Sequence, residues 1–496
     1  MLIQMTLQQF HDVFNLRTLI QRAHVPTVVS SAREQRCCRN FCCAAALLIA
    51  FGVSARAQGL PDAPPQQAPA LGQSGVAGLP NQPMQTAAEA QAAASNPNGL
   101  TWEQVKQRFE AQNPSLKADA LQVQEMKANE ITAYLRPNPT FTMTADGTQI
   151  APHDGVWKPI SGTDLSPNVS YLHERDGKRE LRLKSAQQGT QISEAQHADL
   201  ERTLLFSVRQ QFVATLQAKA VLALTRQELS YYDHLIDISR LRWQKGDIAE
   251  IDFQRIDLQR VQFESDLQTA IVNLRQAKIT LLQLMNDKTP VEQFDIRGDF
   301  DFADHLESLD HFQQVALDAR PDLKAAYLSV NQAYTNHQLA VANGSTDPTF
   351  GGWYTYNSSN NNPYGIQTLG LSVSVPLRIF DRNQGEKART QIDIAKNKEQ
   401  EDVVNAQVFS DVDSAYVQVE STLNLLRPYK SKYLDEATHV RDTVTYAYQR
   451  GGASLLDLLN AQSDFRNVEI AYLQLIGTYM TAASQLNLAV GREEIQ

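Results

Sequence analysis

The sequence predicts a mainly α-helical fold with a small membrane β part: long coiled-coil helices and four β-strands, arranged as two copies of one unit. Three observations lead there. Landmarks recur at a nearly constant offset, apolar residues in the long segments step by three and four, and apolar residues in the short segments alternate with polar ones.

The repeat rests on four pairs of landmarks. Pro114-Ser115-Leu116-Lys117-Ala118 pairs with Pro321-Asp322-Leu323-Lys324-Ala325 at an offset of 207, and Pro139-Thr140-Phe141 with Pro348-Thr349-Phe350 at 209. Gly177 pairs with Gly385 at 208, and Trp243-Gln244-Lys245-Gly246 with Tyr448-Gln449-Arg450-Gly451 at 205. Each copy reads as a helix, two strands and a long helical stretch with one Gly-marked break. The first copy is expected over residues 100–300, with strands near 138–149 and 163–174. The second is expected over 301–491, with strands near 347–358 and 365–377, and 492–496 form a tail.

The long stretches carry coiled-coil seams. Leu222, Thr225, Leu229, Tyr232 and Ile236 form one, and Val408, Val412, Ala415, Val419, Thr422, Leu426 and Tyr429 form the other. Between Gly177 and Gly246 only Gly189 weakens the helix. At ~1.5 Å per residue this stretch reaches roughly 100 Å, which makes a rod rather than the short helices of a globular bundle.

The strands follow the other period. Leu369, Leu371, Val373, Val375 and Leu377 alternate with Thr368, Gly370, Ser372, Ser374 and Pro376. Trp353, Tyr354 and Tyr356 precede them across an Asn- and Ser-rich turn. Thr140-Phe141-Thr142-Met143 and Asn168-Val169-Ser170-Tyr171 hold the equivalent places in the first copy. Membrane strands show this alternation with aromatic flanks, and half-buried strands of a soluble sheet share it. In lipid, four strands cannot close a barrel, because open edges are not tolerated and the smallest single-chain barrels have about eight strands. Several copies must then share one barrel, and three copies supply twelve strands around a hollow helical cylinder.

Composition narrows the function. The 496 residues carry a net charge of −10, with no basic footprint for nucleic acid. Arg33, Arg36 and Arg39, an apolar run from Phe41 to Val53 and Ala55-Arg56-Ala57 have the order of a secretory signal, so 1–57 are expected to be a signal peptide with an extended amino terminus. All four cysteines (Cys37, Cys38, Cys42, Cys43) lie within it, leaving no thiol for disulfides or metal in the expected mature chain. Residues 58–99, rich in Pro, Gln and Ala, read as a disordered tether. The histidines lack the spacing of a helical zinc site, and there is neither a phosphate-binding Gly-Lys-Ser/Thr loop nor a Gly-x-Ser-x-Gly elbow. No cofactor, metal site or enzymatic activity is expected.

At these residues the chain resembles the TolC-type outer-membrane efflux family, or outer membrane factors. The resemblance covers about residues 99–491. It rests on the helix starts Asn113-Pro114…Leu116 and Arg320-Pro321-Asp322-Leu323, on Ser374-Val375-Pro376-Leu377-Arg378-Ile379-Phe380-Asp381-Arg382-Asn383-Gln384-Gly385, and on Tyr448-Gln449-Arg450-Gly451-Gly452-Ala453-Ser454-Leu455-Leu456-Asp457. The Pro376–Gly385 run looks like the CzcC-type heavy-metal branch. The resemblance implies a homotrimer with a twelve-stranded barrel in the outer membrane of a Gram-negative-type bacterium and an α-helical tunnel in the periplasm. It also implies a periplasmic adaptor protein and an inner-membrane efflux transporter, of the resistance-nodulation-division type, as partners. The cargo expected is small solutes, among them heavy-metal cations or drugs. The outer component of a type I protein secretion system shares this architecture, and a soluble coiled-coil scaffold is the reading without a pore.

The resemblance also implies site residues. In the family, acidic residues on an inner helix narrow the closed periplasmic end. The matching segment here holds Asp457 and, in place of a second Asp, Asn460, so three copies of Asp457 form a carboxylate ring. Asp252 and Arg255 occupy the same place in the first copy and become candidate links between neighbouring helices. A solvated helix face accounts for the same four residues. Lys245-Gly246-Asp247 and Arg450-Gly451-Gly452 mark the tips that would dock the adaptor, their glycines permitting a turn with positive φ.

Overall fold

A computed structural model describes residues 99–152, 154–160, 163–357 and 367–495. The expected signal peptide, the tether up to residue 98 and most of the Asn/Ser-rich turn lie outside these residues. Each copy opens with two helices where the sequence suggested one: α1 (Trp102–Gln112) and α2 (Pro114–Tyr134), then α5 (Leu309–Ala319) and α6 (Pro321–Ala342). Proline explains the split. Asn113 and Arg320 are extended, as residues before proline prefer, while Pro114 and Pro321 take the first helical position, where a missing N–H costs nothing.

Four antiparallel strands follow: β1 (Thr140–Asp146), β2 (Asp164–Leu172), β3 (Thr349–Asn357) and β4 (Gln367–Ser374), paired in the order β1-β2-β3-β4. β4 ends at Ser374, short of the expected 377. Pro376 offers no N–H to a ladder.

In the first copy α3 (Lys178–Gln244) runs unbroken for 67 residues and α4 (Glu250–Met285) returns. In the second, α7 (Gln384–Pro428) passes through one π-helical stretch (Tyr429–Tyr433) into α8 (Leu434–Gln449), and α9 (Leu455–Val490) returns. Both seams are inside. Leu222, Thr225, Tyr232 and Ile236 are buried on α3, as are Val408, Val412, Ala415, Val419, Thr422 and Leu426 on α7. The main core gathers Phe212, Leu216, Val412, Val419, Ile476 and Tyr479 at the middle of the helices, and a second cluster holds Tyr232, Ile236, Ile256, Phe263, Tyr448 and Leu458 near the helix-hairpin tips.

The repeat alignment needs one correction at the strand-to-helix junctions. Gly177 caps α3 with φ 66°, but its counterpart by conformation is Asn383, φ 62°, ahead of α7, while Gly385 lies inside that helix. Asparagine is among the few side chains that tolerate this region.

Candidate functional site

Cross-strand pairs fix which side chains share a face of the sheet. Phe141 lies opposite Val169, Leu165 opposite Tyr356, Tyr171 opposite Phe350, and Phe350, Gly352 and Tyr354 opposite Val373, Leu371 and Leu369. One face is therefore apolar on every strand. It is also bare: Phe141, Met143, Val169, Leu369, Leu371 and Val373 are all exposed, Leu371 by 82%. The other face carries Thr140, Thr142, Ser166, Asn168, Ser170, Thr355, Ser372 and Thr368, with Ser166 and Thr355 hydroxyls 2.9 Å apart.

The three aromatics of β3 do not act together. Tyr354 and Tyr356 join the apolar face, while Trp353 sits on the polar one, over Gly370. A Cβ at Gly370 would lie 2.3 Å from the indole, so only glycine fits beneath it.

Each strand continues into a helix: α2 leads into β1, β2 into α3, α6 into β3 and β4 into α7. The helices neighbour one another in the same order, α2 against α3, α3 against α6, α6 against α7. The two outer sides of this layer, α2–β1 and β4–α7, thus carry the two strand edges that are unpaired among the described residues. Leu121 and Ile131 on α2, and Ile392 and Val403 on α7, are exposed.

At the opposite end lie the tips. Gly246 and Gly451 adopt φ 83° and 79°, the conformation expected of them, and Lys245, Asp247, Arg450 and Gly452 are exposed around them. Trp243 stacks flat on Phe253 at 5.2 Å, and the Arg242 guanidinium lies 5.2 Å from the Tyr448 ring centre, which joins the two hairpins. Burial pushes the Tyr448 hydroxyl up, with Arg242 opposing and Asp252 adding to it.

Asp457 and Asn460 are exposed on the first turns of α9. Asp457 also closes a capping box: the Ser454 hydroxyl and backbone N–H donate to its carboxylate at 2.7 and 3.0 Å, which holds its pKa below the usual carboxylate range. Arg255 is exposed and Asp252 half-buried. Among the described residues, neither makes an ion pair within the chain nor meets Asp457.

Two polar clusters escaped the sequence reading. Arg320, buried at the start of α6, binds Asp322 (2.6 Å), Asp411 of α7 (2.9 Å) and the Ala489 carbonyl of α9 (3.2 Å), and Arg202 of α3 reaches Asp322 at 4.0 Å. Farther towards the tips, Glu228 of α3 and Glu469 of α9 are 4% and 1% exposed. Glu228 lines a cavity of about 10 Å³ with Tyr231, Tyr232, Phe263, Gln462, Phe465 and Arg466. Burial pushes the Glu228 carboxyl up to about 8, with Arg466 opposing and Asp266 and Glu469 adding. A signal was present for this second cluster: Leu458, Gln462, Phe465, Glu469, Tyr472, Ile476 and Tyr479 step by four and three, with a glutamate on the seam.

The model of outer membrane efflux proteins matches residues 105–287 and 312–492, one segment in each copy. The chain belongs to the outer membrane efflux protein family. This is a family of channels rather than enzymes, as the sequence led one to expect. The cobalt-zinc-cadmium resistance protein CzcC of Cupriavidus metallidurans is 22% identical over 404 residues, 79% of this chain and 90% of that protein. The pyoverdine export outer membrane protein OpmQ of Pseudomonas aeruginosa is also 22% identical, over 78% of this chain and 84% of its own. Among solved structures, CusC superposes with a TM-score of 0.66 at 17% identity, covering 79% of this chain and 92% of that one. The fold is thus the helical-barrel and membrane-sheet fold of these efflux channels.

Proposed function

We propose that this protein is the outer-membrane exit duct of a tripartite efflux system, a homotrimer whose strands form one twelve-stranded barrel and whose helices form a periplasmic tunnel. The single observation that carries this reading is the two-faced sheet with both edges open. An apolar face belongs against lipid, and open edges in lipid must be paired. The β4–α7 side of one copy supplies the partner for the β1–α2 side of the next, a head-to-tail contact that closes after three. The polar face then lines the pore, with Trp353 narrowing it.

Energy comes from an inner-membrane transporter of the resistance-nodulation-division type, coupled through a periplasmic adaptor that docks on the tips at Lys245-Gly246-Asp247 and Arg450-Gly451-Gly452. Threefold repetition of Asp457 beside Asn460 places three carboxylates at the periplasmic end. Asp252 and Arg255, in no ion pair among the described residues, link neighbouring copies and hold that end shut. Adaptor binding opens it by favouring the untwisted arrangement of the inner helices. The cargo is a small solute. The likeness to CzcC supports heavy-metal cations, and the likeness to OpmQ, at the same 22% identity, supports organic molecules.

Reconstitution in planar bilayers tests the duct: stepwise single-channel currents are expected, and a protein that carries none and fractionates as soluble sinks the proposal. Deleting the gene and comparing growth on cobalt, zinc, cadmium and organic drugs tests the cargo. Unchanged metal tolerance with raised drug sensitivity would remove the metal reading.

A further inference from the structure

The two strand-to-helix junctions differ in a way that the duct alone does not require. In the first, residues 173–177 read His-Glu-Arg-Asp-Gly, two acids against one arginine, and the segment is fastened to its neighbours. Glu174 takes a two-pronged ion pair from Arg182, Arg175 donates its backbone N–H to Asp347 at 3.0 Å, and the buried Lys178 Nζ lies 2.6 Å from the same Asp347. In the second, residues 375–382 read Val-Pro-Leu-Arg-Ile-Phe-Asp-Arg, two arginines against one acid, and among the described residues none of the three is in an ion pair. The Arg382 guanidinium donates to the Arg378 carbonyl, at 3.3 Å, and among the described residues neither arginine meets a carboxylate. Around them Leu377, Ile379 and Phe380 stand exposed, Leu377 by 81% and Phe380 by 91%.

These apolar side chains extend the bare stripe of Leu369, Leu371 and Val373 past the last rung of the ladder, at the end of the sheet that meets the helices. Guanidinium groups beside apolar side chains at the edge of a lipid-facing band suit the boundary between acyl chains and phosphate headgroups. We propose that residues 377–382 are an interfacial anchor for the periplasmic leaflet of the membrane, with Leu377, Ile379 and Phe380 among the acyl chains and Arg378 and Arg382 on phospholipid phosphates. The anchor rests on the sheet being the membrane part. It would fix the height of the barrel in the bilayer three times around the axis, where the first junction, with two acids against one arginine in 173–177, gives no hold on phosphates.

Nitroxide labels at Phe380→Cys and, separately, Leu371→Cys test it, in the full chain with Cys37, Cys38, Cys42 and Cys43 changed to serine. The protein is reconstituted in phosphatidylethanolamine–phosphatidylglycerol vesicles, and relaxation by oxygen and by a water-soluble nickel chelate is compared. The label at 380 is expected to be relaxed more by oxygen than by nickel, at a shallower depth than the label at 371. Adding Arg378→Glu with Arg382→Glu should move position 380 to the aqueous value while leaving 371 in lipid, which also reports that the barrel still inserts. Nickel dominance at 380 in the parent chain, or protection from both reagents as beneath a neighbouring subunit, overturns the anchor while 371 stays in lipid. An aqueous value at 371 itself overturns the membrane reading of the sheet instead.

Discussion

The two copies of the repeat reach the same place by different chemistry. Asn113 starts α2 with a neutral cap, its side-chain oxygen accepting from the Ser115 and Leu116 N–H groups and its amide donating to the Leu284 carbonyl. Arg320 starts α6 at the matching position with a buried cation held by two aspartates and a carbonyl. Likewise α3 is continuous, whereas α7 and α8 are joined by a π turn just after Pro428. The duplicated elements therefore preserve packing, while the polar groups that fasten them have diverged. The second copy carries the charged fastening and the irregular helix.

The largest consequence is in stability. Arg320→Ala leaves Asp322 and Asp411 without their cation and is expected to cost about 3 kcal/mol, since breaking a buried ion pair strands its partners. Asn113→Ala removes only a cap and should cost about 1 kcal/mol. Denaturant titration of the two variants in detergent checks the pair, and equal losses would mean that the copies are fastened alike.

A second effect depends on pH. The Glu228 carboxyl holds its proton up to about 8 in the folded chain, against a usual value of 4.5, so unfolding releases a proton between those limits. Its contribution is complete below 4.5 and is lost as pH rises through 8, because the unfolded state there binds fewer protons. Thermal midpoints of the parent should fall between pH 5 and 8, and Glu228→Gln should flatten that fall. The first copy supplies Glu228 and the second Glu469, so an equal slope in both proteins would show that their joint burial contributes nothing.

Much of this comparison was legible in the sequence. The seams at 222–236 and 408–426 needed only spacing, because a buried stripe on a long helix admits few polar residues. The strand faces needed only alternation, since each side chain points opposite to the last. Long-range polar pairing was not legible: Arg320 and Asp411 are 91 residues apart, and nothing local joins them. Asn383 as the left-handed residue was hidden for another reason. A glycine two positions on offered the more familiar signal, and asparagine adopts the conformation without announcing it.

At the tips, charge and capping can be separated. Asp457→Ala removes both the carboxylate and the capping acceptor, whereas Asp457→Asn keeps an acceptor for the N-terminal N–H groups and removes only the charge. If the carboxylate ring restricts the pore, both variants, each combined with Arg255→Ala, should raise resting conductance in bilayers by about the same factor, on the order of two to five for a charged constriction. A rise with alanine alone would assign the effect to fraying of α9, and no rise with either would remove Asp457 and Arg255 from the gate.

The smallest effect lies in the π turn. Pro428 cannot donate a helical hydrogen bond, and the wider turn over Tyr429–Tyr433 is held from outside, by Lys430 against the Phe302 ring at 4.7 Å and Arg427 against Asp304 at 2.6 Å. The same level of α3, around residues 222–226, keeps regular helical bonds and has Leu222, Leu224 and Thr225 buried, whereas none of 429–433 is buried. Backbone groups with weaker bonds and less cover open more often. Amides at 429–433 should therefore exchange with deuterium about tenfold faster than those at 222–226. Removing the outer support with Lys430→Ala should widen the gap, because Phe302, and Asp301 at 3.4 Å from the Lys430 amine, then lose their contact with the turn. Equal exchange at the two sites would mean that the divergence of the copies stops at their fastenings and does not reach their flexibility.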